Sequence, residues 1–300
     1  MSTPYRIAYI GLDTSHVVAF TKLLHNTDDQ HHVAGARLVA AFPGGSPDLD
    51  VSINRVEGFT NTLKETYQTE IVESIAALEG KADAIFLESV DGRVHLEQFR
   101  EVADWGLPVF IDKPLTVSSA QAREILELAK AKNVRVMTAS AIRYAQPFQE
   151  ALADAEGGAI AGADVYGPMA FVEKLPGYFW YGIHSADMLF AAMGSGCQRV
   201  TARREGPYDV VVGEWADGRF GTMRGSRTGN SSFGGTLHRE KRSRAYDVST
   251  STKPYYACLL EQILAFLGGS QPVALEESVE IIRFLEAANE SVETGKTVAL

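Results

Sequence analysis

The chain has 300 residues and a formal net charge of −10, so nucleic acid and anionic membrane, both polyanions, are excluded as electrostatic partners and a small-molecule ligand is expected. Hydrophobic residues make up 45% of the chain, enough for one large core or two modest ones, and the length favours two domains. The two cysteines, Cys197 and Cys258, share no metal-like spacing, and no leader or bilayer-length apolar run is seen, so a cytoplasmic protein without disulfides or a membrane segment is expected.

The first half alternates β-branched runs with helical periodicity. A strand over Tyr5–Ile10 leads into a helix from Ser15, and a strand over Arg37–Phe42 leads into a Gly/Pro/Ser loop from Pro43 to Asp50. Strand Ala82–Leu87, helix Val94–Trp105, strand Pro108–Ile111, helix Ser118–Lys132 and strand Val134–Ala139 continue the pattern. Strands separated by helices imply a parallel sheet with right-handed crossovers. Past residue 140 strands follow one another: Val165–Glu173, Arg199–Arg204, Val210–Trp215, Phe220–Ser226 and Thr236–Arg239. Residues 215–219 read as a hairpin turn. Helices Tyr255–Leu267 and Glu276–Glu293 each run into glycine, where a left-handed C′ residue is wanted. The expected fold is α/β, with an N-terminal Rossmann parallel sheet over residues 1–140. A C-terminal α+β domain with a mostly antiparallel sheet follows over 141–300.

The turn after the first strand reads Gly11, Leu12, Asp13, Thr14, Ser15, His16. A dinucleotide fingerprint G-x-G-x-x-G would occupy this slot, but its second and third glycines are replaced by Asp13 and His16. Asp112, Lys113 and Pro114 follow a later parallel strand, at the sheet edge where open α/β folds bind ligands. In Gly182-Ile183-His184-Ser185-Ala186-Asp187 the imidazole and the carboxylate are three residues apart on one helical face, so Asp187 can orient His184 as a general base. The aromatic run Tyr178–Tyr181 cannot all point inward, and Tyr178 and Trp180 are expected at the substrate. Arg143 and Tyr144, directly after the last parallel strand, are expected there as well.

Taken together, these segments resemble the Gfo/Idh/MocA oxidoreductases, the glucose–fructose oxidoreductase and inositol dehydrogenase group. Asp112-Lys113-Pro114 resembles that family's E-K-P turn, and Gly182-x-His184-x-x-Asp187 its G-x-H-x-x-D. Glu88 to His95 resembles its segment after the fourth strand, and Glu277 to Val298 its C-terminal helix and tail. The resemblance implies an NAD- or NADP-dependent enzyme acting on a sugar, polyol or related hydroxyl compound. Lys113 and His184 would be catalytic, with Asp187 supporting His184, and the Lys113–Pro114 peptide would be cis. Gly11 to His16, Ser89, His95, Asp112 and Lys113 would bind the cofactor, and a homodimer or homotetramer is implied.

Three positions depart from the family. Trp180 stands where an aspartate often precedes the histidine, Asp13 places a negative charge near the pyrophosphate, and Phe42-Pro43-Gly44-Gly45-Ser46 offers no acid to grip a ribose. These departures favour an alternative, a redox-neutral or ligand-binding protein of the same fold. His31 and His32 have no third spaced ligand, so no metal site is expected. The basic residues Arg239, Lys241, Arg242 and Arg244 read as a solvated sheet edge or interface.

Overall fold

Tyr5–Ile10 (β1) has four consecutive buried residues at its end, the mark of a strand covered on both faces. In a computed structural model describing residues 3–300, β1 is followed by His16–His25 (α1), Ala36–Phe42 (β2), Asp50–Tyr67 (α2), Glu70–Ile71 (β3) and Ala84–Leu87 (β4). Next come His95–Val102 (α3), Val109–Ile111 (β5), Ser119–Lys132 (α4) and Val136–Met137 (β6). The six strands form one sheet in the order β3-β2-β1-β4-β5-β6, with each described pair parallel. Strand order reverses between β1 and β4, and open sheets of this kind bind ligands at the carboxyl ends of the strands flanking that reversal.

The second half holds Gln146–Leu152 (α5), Ile160–Pro168 (β7), Gly182–Met193 (α6), Cys197–Glu205 (β8), Tyr208–Trp215 (β9), Phe220–Ser226 (β10), Gly234–Arg239 (β11) and Ser243–Asp247 (β12). Tyr255–Leu267 (α7), Leu275–Thr294 (α8) and Val298–Ala299 (β13) complete the chain. The second sheet runs β12-β11-β7-β10-β9-β8-β13 and is antiparallel except between β7 and β10. Period-two alternation puts Val211, Trp215 and Met223 on the buried face and leaves Tyr208, Val210 and Phe220 exposed. The buried face lies against α6, and a Cβ at Gly221 would come within 2.8 Å of Leu189.

The chain divides into two units. One contains the residues up to Thr116 together with Ala120–Ala139 and Tyr256–Leu275; the other contains Val117–Ser119, Ser140–Tyr255 and Glu276–Leu300. Residues 256–275, expected with the C-terminal domain, thus return to the Rossmann unit, where Tyr256 meets Phe20 edge-on and Leu264 lies beside Gly35. Strand β7 begins five residues before the expected Val165 and ends at Pro168, because the apolar Phe171 and Val172 extend the hydrophobic run past the point where the chain leaves the sheet. Arg239, Arg242 and Arg244 lie on the edge hairpin β11–β12, where Arg242 pairs with Asp154.

Candidate active site

In the Rossmann unit the site is built where three strands end. Gly11 follows β1 with φ +89, and a Cβ there would sit 2.3 Å from the Ser89 hydroxyl, so the turns after β1 and β4 touch backbone to side chain and only glycine fits. The amides of Gly11 and Leu12 donate to the carbonyls of Phe42 and Pro43 at 3.0 and 2.7 Å. These two amides, expected to serve a cofactor, are therefore already used by the fold, and the Leu12 side chain is core.

Asp13 is fully buried. Its carboxylate accepts the Val90 amide at 2.8 Å and the Ser52 hydroxyl at 2.5 Å, fastening the turn to the loops after β4 and β2. Burial pushes this carboxyl up, against the pull of Ser52 and Val90. The Ser46 hydroxyl likewise donates to Asp91 at 2.6 Å, which draws the Pro43–Asp50 loop toward the same edge.

His16, the first residue of α1, is packed between Phe20 and Tyr256. Its Nδ1 is 2.8 Å from Asp112 Oδ2, although neither atom completes a well-aligned hydrogen bond. Glu88, at the end of β4, is also fully buried, and neither of its carboxylate oxygens has a hydrogen-bond partner. Burial first, then the adjacent Asp112 carboxylate, pushes Glu88 well above the usual carboxylate range. Asp112 Oδ1 accepts the Lys113 amide at 2.9 Å, and the Lys113–Pro114 peptide is cis. Lys113 itself is half-buried.

His95 corrects an expectation. It is fully buried, with Nδ1 3.0 Å from the Pro114 carbonyl and Nε2 2.7 Å from the Ser89 carbonyl. Both ring nitrogens thus tie the turn after β4 to the turn after β5, and the residue holds the fold where it was expected to hold a cofactor. Ser89 does likewise: its hydroxyl accepts Gln98 Nε2 at 2.8 Å. Thr14 is buried and Ser15 is exposed at the start of α1, a ten-residue helix whose N-terminus carries no side-chain cap.

In the second unit, Asp187 and His184 are joined through a residue the sequence reading passed over. The Ser140 hydroxyl lies 2.6 Å from His184 Nδ1, and the Ser140 amide donates to Asp187 Oδ2 at 2.6 Å. Asp187 Oδ1 receives Arg143 Nη1 at 2.8 Å, and Arg143 Nη2 reaches Glu277 at 2.7 Å. Arg143, expected at the substrate, instead neutralises two buried carboxylates. The His184 ring stands edge-on to Tyr181 and Phe233.

Tyr178 also departs from expectation. It is fully buried, and its hydroxyl donates to Asp209 at 2.8 Å beside Arg204, so it belongs to the core. Trp180 is half-buried with its ring near Tyr181, and the buried Tyr144 hydroxyl has no hydrogen-bond partner. Ser140 had one sequence signal: it lies shortly after the last parallel strand, at a carboxyl end like Asp112.

Residues 20–140 match the oxidoreductase family with an NAD-binding Rossmann fold, the Gfo/Idh/MocA group, and the match begins just past the altered turn. Over those residues the Rossmann unit is similar to the Gfo/Idh/MocA family. The chain is similar to inositol 2-dehydrogenase 4 of Saccharopolyspora erythraea, at 28% identity over 41% of this chain and 34% of that protein. The matched stretch thus spans about a third of that relative's length. Among solved structures it resembles a myo-inositol dehydrogenase from Corynebacterium glutamicum, with TM-score 0.79, 17% identity and 99% of each chain covered. It also resembles GenD2 from gentamicin A biosynthesis, crystallised in complex with NAD, with TM-score 0.78, 17% identity, and 100% and 97% of the two chains covered. At these identities the structural likeness establishes the α/β fold. Among the described residues no helix is long and apolar enough to cross a membrane.

The Rossmann unit fits a nicotinamide dinucleotide at its carboxyl edge. At the N-terminus of α1 Ser15 is exposed and supplies no cap, no acidic residue lies in the first turn, and the His16 amide donates to the Thr14 hydroxyl at 3.4 Å, a long bond that a phosphate could replace. Asp13 limits that fit, because its buried carboxylate occupies the turn where glycine would let phosphate approach.

Proposed function

We propose that the chain is an oxidoreductase acting on a hydroxyl-bearing carbon of a sugar, polyol or related compound, with NAD or NADP as hydride carrier. The observation that carries this reading is the bond between His184 Nδ1 and the Ser140 hydroxyl, with Ser140 itself held by Asp187. A ring fixed through Nδ1 works through Nε2, which would take the substrate's hydroxyl proton. Lys113, half-buried after β5, would stabilise the developing alkoxide or relay the proton. The first turn of α1 and Lys113 would hold the dinucleotide, whose nicotinamide supplies hydride exchange when bound. The inositol dehydrogenases among the similar proteins support the polyol class.

The test is a panel of polyols and sugars, with NAD and NADP, followed by the absorbance of the reduced nicotinamide. Turnover on at least one hydroxyl compound is expected. A second reading, a redox-neutral or ligand-binding protein, is favoured by the Asp13 carboxylate. Calorimetry with NAD, NADH, NADP and NADPH separates the two: no binding of any at millimolar concentration would sink the oxidoreductase reading. Asp13→Asn, which removes the charge from the turn, is expected to tighten dinucleotide binding.

The exposed Tyr208, Val210 and Phe220 on β9 and β10 are further proposed to pair with a second copy in a homodimer or homotetramer. A 32.6 kDa particle by light scattering would defeat that. Two buried cysteines, Cys197 and Cys258, suit a cytoplasmic location.

A further inference from the structure

Buried polar groups are nearly always partnered, because leaving one unsatisfied costs about 1–3 kcal/mol, and more when it is charged. In this chain neither Glu88 carboxylate oxygen has a hydrogen-bond partner among the described residues, and beside them His16 Nδ1 and Asp112 Oδ2 face each other at 2.8 Å without a well-aligned hydrogen bond. One ligand atom from each of the three residues lies within 4.8 Å of the others, and all three residues are buried. They arrive from three separate elements, the start of α1, the end of β4 and the residue after β5, which meet at the strand-order reversal of the parallel sheet. His16 is clamped by Phe20 and Tyr256, so the imidazole is preset.

An imidazole nitrogen with two carboxylates is a donor set suited to borderline divalent ions. Two adjacent buried carboxylates repel each other, and a dication between them removes that repulsion. Water alone would satisfy the Glu88 oxygens but would not remove the repulsion between the two acids, which His16 and Lys113 offset only in part. We propose that His16, Glu88 and Asp112 form a binding site for one divalent first-row metal ion of the Mn2+ or Zn2+ class. Sequence spacing gives no sign of it, because the ligands are 72 and 24 residues apart by their numbering.

The experiment uses untagged full-length protein, stripped with chelator and titrated with MnCl2 or ZnSO4 alone. It needs neither substrate nor dinucleotide, so its outcome is independent of the oxidoreductase reading. One ion per chain is expected by calorimetry and by elemental mass spectrometry, with a rise in melting temperature that grows with ion concentration. Glu88→Gln, nearly isosteric, is expected to abolish the saturable 1:1 binding and the thermal shift. Asp112→Asn is the second variant, should Glu88→Gln fail to fold. The proposal is overturned if wild-type protein binds neither Mn2+ nor Zn2+ at millimolar concentration. It is equally overturned if a folded variant binds with unchanged affinity, which would place the ion on surface histidines.

Discussion

The two units hold buried charge in opposite ways. Around His184, buried charge meets opposite charge: Asp187 takes Arg143 and the Ser140 amide, and Arg143 in turn pairs with Glu277, although Glu277 Oε1 and the Tyr144 hydroxyl complete no hydrogen bond among the described residues. At the Rossmann strand ends, two carboxylates and an imidazole crowd together while Glu88 has no hydrogen-bond partner at all. Charges paired within the chain need no added ion, which would suit the proposed role of His184 as a base held at one angle. Two adjacent acids, one of them without a hydrogen bond, would suit the proposed ion. On these proposals the contrast assigns proton handling to one unit and ligand holding to the other.

The largest expected effect tests the first half of that division. His184→Ala should lower kcat by roughly 10²–10⁴-fold on whichever hydroxyl compound turns over, as loss of a positioned acid/base does. Far-UV circular dichroism should be unchanged. Near-normal turnover in a folded variant would remove His184 from the chemistry.

Next comes stability, where the units should respond in opposite senses. Arg143→Met leaves Asp187 and Glu277 buried without their shared cation, and breaking a buried pair by removing one partner costs about 3–5 kcal/mol. Urea unfolding should show this as a lower midpoint. Glu88→Gln in metal-free protein alters a side chain that has no hydrogen-bond partner among the described residues to lose, so unfolding free energy should move by less than about 1 kcal/mol. Equal losses in both variants would mean that the two sites are not different in kind.

Ser140→Ala probes the link between the two residues of the α6 motif. The Ser140 amide still holds Asp187, because that contact is backbone, while the hydroxyl's bond to His184 is lost together with the Ile142 amide it accepts at 3.2 Å. Turnover should fall by roughly tenfold, less than removal of the imidazole itself, and the pH–rate profile should shift on the limb that reports His184. Ser140→Thr, which keeps a hydroxyl, should restore much of both.

How much of this was legible follows from the same physics. Strand β1 was plain in the sequence because it is a continuous apolar run, and helix α7 because it carries a helical hydrophobic rhythm. Helix α2 was passed over: its stripe of Val56, Phe59, Leu63 and Tyr67 is thin, with Ser52 and Leu63 buried and Gly58 beside it among polar neighbours. The short strands β3, β12 and β13 lie at sheet edges and depend on a single neighbour for pairing. Asp112, Lys113 and His184 stood out because proline or glycine punctuates a short polar string beside a strand or helix end. Ser140 and Glu88 did not, since a serine and a glutamate gain their meaning only when separate elements bring partners, or none, against them.

Tyr178 gives the smallest effect and the cleanest check on where the second unit's site stops. Four aromatic residues in succession suggested a substrate wall, yet the Tyr178 ring is fully buried, with the Arg204 guanidinium over it and Asp209 on its hydroxyl. Asp209 also pairs with Arg204 at 2.9 Å and with Arg227, so removing the tyrosine hydroxyl leaves the carboxylate well served. Tyr178→Phe should therefore cost about 1.5 kcal/mol of unfolding free energy, at the low end for a hydrogen bond to a charged group. Its kcat and KM should match wild type, because the ring's packing is kept and the lost atom faces Asp209. A severalfold rise in KM with unchanged stability would return Tyr178 to the substrate and take Asp209 with it.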